Sequence, residues 1–176
     1  MRIIAGSRKG ARIYAPKGLT TRPTGDRVRE AAFNLIGPVD DAAVLDLFAG
    51  SGAMGLEALS RGAASVTFVE SDRDACRAIS RNLEKLGLTG ARVVQDDVLR
   101  HLPRESRTYD LIVIDPPYEM VESLQMPLST HLPRLLAADG IVVFETGARR
   151  QPEFAAFNLR ASRRYGSVRL TLFEHE

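Results

Sequence analysis

The chain has 176 residues, 44% hydrophobic and 26% charged, with a single cysteine (Cys76); this is ordinary globular composition, long enough to bury a core and without the pair of thiols an intrachain disulfide needs. No apolar run approaches the ~18 residues of a membrane span, and the basic start MRIIAGSRKG lacks an apolar stretch, so neither a membrane segment nor a secretory signal is expected and the cytoplasm is. The net charge of +2 conceals an uneven distribution: residues 1–30 hold eight Lys/Arg against Asp26 and Glu30, residues 149–176 hold six Arg against three Glu, and the middle is correspondingly acidic.

Basic ends around an acidic centre suit an anionic partner approached by the ends, although solvated surface charge gives the same pattern. In chain order, apolar segments at 2–5 and 11–14 flank SRKG and predict a hairpin with a basic tip. A polar stretch with one proline, KGLTTRPTG, follows. DRVREAAFNLI then predicts a helix, with Asp26 as N-cap and Val28, Ala31, Ala32 and Leu35 recurring at helical spacing. From about residue 43 strands alternate with helices: AAVLDLFA, the helical AMGLEALSRG, SVTFVE, the helical SDRDACRAISRNLEKLG, ARVVQDD and YDLIVIDPP. One helix or two short ones come next at 119–137, then the strand GIVVFETG. Such alternation of apolar strands with helices predicts an α/β fold with a mostly parallel sheet covered on both faces. The tail differs, since LRASRRYG and SVRLTLFEH are joined directly and predict an antiparallel hairpin at the sheet edge.

The first strand runs into Asp46-Leu47-Phe48-Ala49-Gly50-Ser51-Gly52-Ala53-Met54-Gly55. Gly50, Gly52 and Gly55 form G-x-G-x-x-G between a strand and a helix, which permits a tight turn and close approach of a ligand. A structural turn, a dinucleotide site and an S-adenosylmethionine site would all use it. Asp46 favours the last, because a carboxylate at the strand's end suits a ligand with an ammonium group and opposes a pyrophosphate. Glu70, ending the second strand before Ser71, is placed to accept from ribose hydroxyls or, alternatively, to complement a helix N-terminus. Asp96 and Asp97 end the third strand. Asp97 is the preferred acceptor for an adenine amino group, with a helix cap as the competing role.

Asp115-Pro116-Pro117-Tyr118 directly follows an apolar strand. Proline cannot donate to a ladder, so the strand stops there with carbonyls left to accept. The Asp115 carboxylate and the Pro116 carbonyl make a rigid acceptor pair for an –NH2 group, and Tyr118 offers a face on which a base can stack. An exocyclic amine is a poor nucleophile because its lone pair is delocalised into the ring. Acceptors on its two protons concentrate density on nitrogen and orient it for in-line attack on a methyl sulfonium. His101, His131 and His175 are scattered without metal-ligand spacing, so no metal is expected. Cys76 lies in a helical pattern and reads as partly buried.

These segments resemble a known family. DLFAGSGAMGLEALSRGA, FVESD and DLIVIDPPY are similar to the cofactor and catalytic motifs of class I amino-methyltransferases. RIIAGSRKGARIYAP and TRPTGDRVREAAFNLI resemble the bacterial enzymes that methylate N2 of one guanine in 16S rRNA, position 966 in the usual rRNA numbering. The resemblance implies a Rossmann-like sheet of seven strands with the last antiparallel, plus a small N-terminal β-hairpin extension: residues 1–25 as a basic arm and 26–176 as the methyltransferase domain. It implies S-adenosylmethionine as donor, S-adenosylhomocysteine as product, and 16S rRNA in a 30S particle or its assembly intermediate as partner of a monomer. Asp46, Phe48, Ala49, Gly50, Gly52, Glu70, Ser71 and Asp97 are the expected cofactor residues. Asp115, Pro116, Pro117 and Tyr118 are the expected catalytic residues, and Lys9, Arg12, Arg22, Arg27 and Arg29 the expected RNA contacts. The competing functions are an adenine-N6 or cytosine-N4 methyltransferase acting on DNA or RNA, an NAD-dependent oxidoreductase, and a noncatalytic RNA-binding module.

Overall fold

A computed structural model describes residues 1–16 and 25–176. Arg22, and the polar stretch in which it sits, lie outside the described residues. Seven strands form one sheet: β1 (Ala43–Leu47), β2 (Ser65–Glu70), β3 (Ala91–Gln95), β4 (Tyr109–Ile114), β5 (Leu136–Gly147), β6 (Phe157–Tyr165) and β7 (Val168–His175). Their order is β3-β2-β1-β4-β5-β7-β6. The first five pair in parallel, and β7 runs antiparallel to both β5 and β6. The final hairpin thus inserts β7 beside β5 and leaves β6 as the edge. Short alternation in the sequence showed a hairpin but not which of its strands would take the inner place.

Among the described residues, five α-helices cover the sheet: α1 (Asp26–Ile36), α2 (Ala53–Ser60), α3 (Arg73–Leu86), α4 (Val98–His101) and α5 (Val121–Leu135). Because strand side chains alternate between faces, the sheet has two cores. On one face Val44, Val66, Phe68 and Val113 pack against Phe33 and Ile36 of α1, Leu56 of α2 and Ile79 of α3. On the other, Leu45, Leu47, Ile112 and Phe144 meet the α5 stripe Leu124, Leu128, Leu132 and Leu135. Each such burial contributes about 1.5–3 kcal/mol. Within the 119–137 segment a single α-helix, α5, runs from Val121 to Leu135 despite Pro127 and Pro133 inside it, after a 3-10 turn at Tyr118–Met120 and before β5 begins at Leu136.

The N-terminal segment forms a hairpin rung, with an Arg2–Arg12 bridge and mutual backbone bonds between Ile3 and Ala11 (2.9 Å) and between Gly10 and Ile3 (2.8 Å). Ile3 and Ile13 are buried in the first core. Two expectations for α1 are corrected. Its N-cap is Gly25, and Asp26 is its first residue, paired with Arg29 at 3.0 Å and Arg2 at 3.4 Å. Its buried face is Arg29, Ala32, Phe33 and Ile36, with Val28, Ala31 and Leu35 only partly buried. The face is rotated because Arg29 finds a buried partner, Glu57 of α2, and so faces inward.

Candidate active site

The strand order reverses between β1 and β4: the chain goes outward to β2 and β3 on one side, and to β5 on the other. At such a switch point the loops beyond the strands' carboxyl ends diverge and leave a crevice. A cleft of about 610 Å³ lies there, and Asp46, Phe48, Ala49, Gly50, Glu70, Ser71, Asp97, Asp115, Pro116 and Pro117 all line it. Ten of the twelve expected cofactor and catalytic residues therefore share one cavity.

The loop after β1 is built from left-handed backbone. Phe48 has φ 60°, Gly50 φ 56° and Gly52 φ 80°. A bulky residue at positive φ is strained and persists only where its surroundings hold it; here Ala49 N–H bonds the Val69 carbonyl (3.1 Å) and Gly52 N–H the Ala49 carbonyl (2.8 Å). The three glycines divide their roles. A Cβ at Gly50 would meet nothing within 4 Å, so its open side faces the cleft. A Cβ at Gly52 would stand 2.9 Å from Ile79, and one at Gly55 would overlap the Phe68 ring. Gly52 accordingly does not line the cleft; it and Gly55 let α2 and α3 sit close to the sheet.

Asp46 is 2% exposed, and its Oδ2 accepts the Gly55 N–H at 2.9 Å. Burial raises its carboxyl pKa well above the usual range, the Gly55 N–H opposes the shift, and the charges of Asp115 and Glu70 add to it. Glu70 accepts from Gly50 N–H (2.8 Å) through Oε2 and from Asp72 N–H (2.8 Å) through Oε1, which fixes the glycine loop to the end of β2. Asp97 caps α4, with Oδ1 accepting from Leu99 (2.9 Å) and Arg100 (3.2 Å), so the capping role is real and coexists with a place in the cleft. Asp96 instead pairs with Arg104 and, at 3.4 Å, Arg100.

Asp115 stands just past β4, its N–H 3.4 Å from the Leu47 carbonyl, with Pro116 buried and Pro117 exposed. Tyr118 opens a 3-10 turn and departs from expectation. It lines a second cleft, its hydroxyl 3.5 Å from the Ser167 carbonyl and its ring beside Gly147.

The family of conserved hypothetical protein 95 has a sequence profile that matches residues 1–174. The chain belongs to this family. Among similar proteins, YlbH of Bacillus subtilis (strain 168) is 41% identical over 150 residues, 82% of each chain. Ribosomal RNA small subunit methyltransferase D of Escherichia coli (strain K12) is 44% identical over 119 residues, which is 67% of this chain and 60% of that protein. The solved structure of the Escherichia coli protein yhhF superposes with a TM-score of 0.87 at 35% identity, covering 100% of this chain and 98% of the other. The fold is that of Rossmann-like methyltransferases, and the family member described here is a class I methyltransferase.

The expected RNA contacts separate. Lys9, Arg12 and Arg27 are exposed, on the hairpin and α1. Arg29 is not a surface contact: it is fully buried, 3.0 Å from Asp26 and 3.5 Å from Glu57, and donates to the Arg2 carbonyl. It does line the 610 Å³ cleft, and its Nη1 has no hydrogen-bond partner among the described residues. Sequence reasoning missed this placement, because Arg29 turns inward only to meet Glu57 of α2. Met1, Met54 and Met120 also line the cleft, and no local sequence signal marks them. Cys76 is buried, its thiol pushed up to about 11 by burial and by the charges of Glu70 and Asp72, so it stays protonated at neutral pH. His101 is buried 3.1 Å from Glu105.

Proposed function

We propose that this chain transfers a methyl group from S-adenosylmethionine to the exocyclic N2 of a guanine in 16S rRNA, within a 30S particle in the cytoplasm. The observation that carries the reading is the juxtaposition of Asp115-Pro116 with Asp46, Glu70 and the open side of Gly50 in one cleft.

The cleft's own residues fit the donor. Three carboxylates, Asp46, Glu70 and Asp115, face a ligand with ammonium and sulfonium charges, and burial makes that complement strong. Asp46 would hold the ammonium and Glu70 the ribose hydroxyls. Gly50 admits the ligand backbone-close, and Asp97 would accept from the adenine amine. The same arrangement disfavours a dinucleotide. The Gly55 N–H at the start of α2, where a pyrophosphate would dock, is already occupied by the Asp46 carboxylate.

When bound, S-adenosylmethionine supplies an electrophilic methyl group on sulfur. Asp115 and the Pro116 carbonyl accept the two N–H bonds of the guanine amine and aim its nitrogen. Asp115 then stabilises the positive charge that develops on nitrogen, which is worth more in the transition state than in the ground state. Pro116, buried and without an N–H, holds the acceptor pair rigid. Tyr118 borders the base from the second cleft. Lys9, Arg12 and Arg27 are the proposed contacts to the RNA on the hairpin side.

Asp115→Ala is expected to lower kcat for methyl transfer by at least about a hundredfold. Its affinity for S-adenosylhomocysteine, read by calorimetry, should stay within a few fold. Near-wild-type turnover in that variant would remove Asp115 from the chemistry.

A further inference from the structure

The second cleft, about 590 Å³, opens on the other side of Tyr118. It is lined by Tyr118 and Glu119, by Gly147 through Arg150 at the end of β5, and by Arg164, Gly166 and Ser167 of the β6–β7 hairpin. Glu119 lines both clefts, so the two adjoin at the DPPY segment.

Its charge is unbalanced. Arg150 pairs with Glu122 at 2.7 Å, but no ion pair holds Arg149 or Arg164 among the described residues, and both are exposed. Arg164 also stands directly opposite Arg169 across the β6–β7 ladder. Like charges in that position repel. Arg169 is drawn to neutral groups, the Ala148 carbonyl (3.2 Å) and Ser162 Oγ (2.7 Å), which leaves its charge uncompensated beside the same cleft. The floor is small and smooth: Gly147 lies against the Tyr118 ring, and Gly166 makes the hairpin turn at φ 61°. Guanidinium groups in a trough that starts at an aromatic ring are the chemistry of nucleic-acid backbone held beside a stacked base.

We propose that this cleft binds the phosphodiester backbone of the RNA immediately flanking the target nucleotide, through Arg149 and Arg164, and so positions the extruded base at Asp115. The inference rests on the RNA reading of the first cleft. It places a docking surface at the C-terminal hairpin, adjoining the active site at the DPPY segment. The basic stretch near the C-terminus then has a structural purpose that composition alone left unassigned.

The test is binding of unmodified 16S rRNA, both as a single-stranded fragment containing the target guanine and within small-subunit particles, at several salt concentrations. The Arg149→Ala/Arg164→Ala variant is expected to bind both at least about tenfold more weakly. Its log–log salt slope should be smaller by about 1.4, or roughly 0.7 for each of two phosphates. Its melting temperature and S-adenosylhomocysteine affinity should match wild type. Arg149→Lys/Arg164→Lys, which keeps the charge, should restore the slope and guards against a folding defect in the alanine variant. Unchanged affinity and slope in a folded alanine variant overturn the proposal. Weakened binding to particles with unchanged binding to the RNA fragment overturns it too, because the partner would then be a ribosomal protein. If wild type methylates RNA and the variant matches it, only this inference falls; if wild type transfers no methyl group to RNA, the functional reading falls and this one with it.

Discussion

Asp46 concentrates the tension in the site, since it is buried beside two other carboxylates and held by one backbone N–H. Its folded pKa lies above its unfolded value, so the folded state binds the proton more tightly. Stability therefore falls as pH rises from the ordinary aspartate range through the raised folded value, and the free protein carries that cost at neutral pH. Asp46→Asn keeps an acceptor for Gly55 and removes the charge. The free variant should melt above wild type at pH 7 by a few degrees, the scale of about 1 kcal/mol in a domain this size. The difference should close as pH drops toward about 4. Its S-adenosylhomocysteine affinity should fall at least tenfold, because the ammonium loses its partner. A variant less stable than wild type at pH 7 with unchanged affinity would contradict this account. Asp46 was legible in the sequence from its place before the glycines. The inward turn of Arg29 was not, because a surface arginine and a buried one look alike until the opposing Glu57 is known.

Among the elements, α2 and α3 join the hairpin to the sheet; on α3, Asn82 Oδ1 accepts from Tyr14 N–H (2.7 Å) and its Nδ2 donates to the Tyr14 carbonyl (3.0 Å). Fully buried Glu57 accepts from Ile4 N–H (2.8 Å) and Ala5 N–H (2.9 Å) of the hairpin, pairs with Arg61 at 2.8 Å, and stands 3.5 Å from Arg29 of α1. Breaking a buried ion pair leaves its partner charge uncompensated and costs about 3–5 kcal/mol. Glu57→Gln is expected to lose that much stability in urea unfolding and to make the hairpin the first site of limited proteolysis. The exposed Arg77–Asp74 pair (3.4 Å) is the control; Arg77→Ala should cost no more than about 0.5 kcal/mol. A Glu57→Gln loss as small as the control's would mean that the hairpin is held by its other contacts: Ile3 and Ile13 in the core, Ser60 of α2, and Asn82 and Lys85 of α3. Apolar periodicity located nearly every element within a few residues, with β2 and α1 matching their expected spans. It set β5 at 140–147 where the strand starts at Leu136, because the ladder with β4 shifts register between Tyr109 and Leu111 and the extra residues, Leu136–Asp139, lack strand alternation and contain two alanines. The cap of α1 was misread because Asp26 serves the ion-pair network and not the helix N-terminus.

At the scale of the whole molecule, the acidic middle of the sequence supplies the carboxylates that line the first cleft, and its basic ends supply exposed cationic side chains on the hairpin and at the β6–β7 side. The motifs located the first cleft, since strand-end residues of a doubly wound sheet gather wherever the strand order reverses. The second cleft was hidden from the sequence because β5, the 3-10 turn of Tyr118 and the final hairpin meet only through the insertion of β7 beside β5. The central claim joins these surfaces: a donor in the first cleft, a guanine at Asp115 and RNA on either side. The most direct measurement is mass-spectrometric mapping of methylated nucleosides in unmodified small-subunit particles after incubation with the protein and S-adenosylmethionine. The account expects N2-methylguanosine at a single 16S rRNA position with wild type, and none with Asp115→Ala. Methylation of adenine or cytosine in its place, or no transfer to RNA at all, would contradict it.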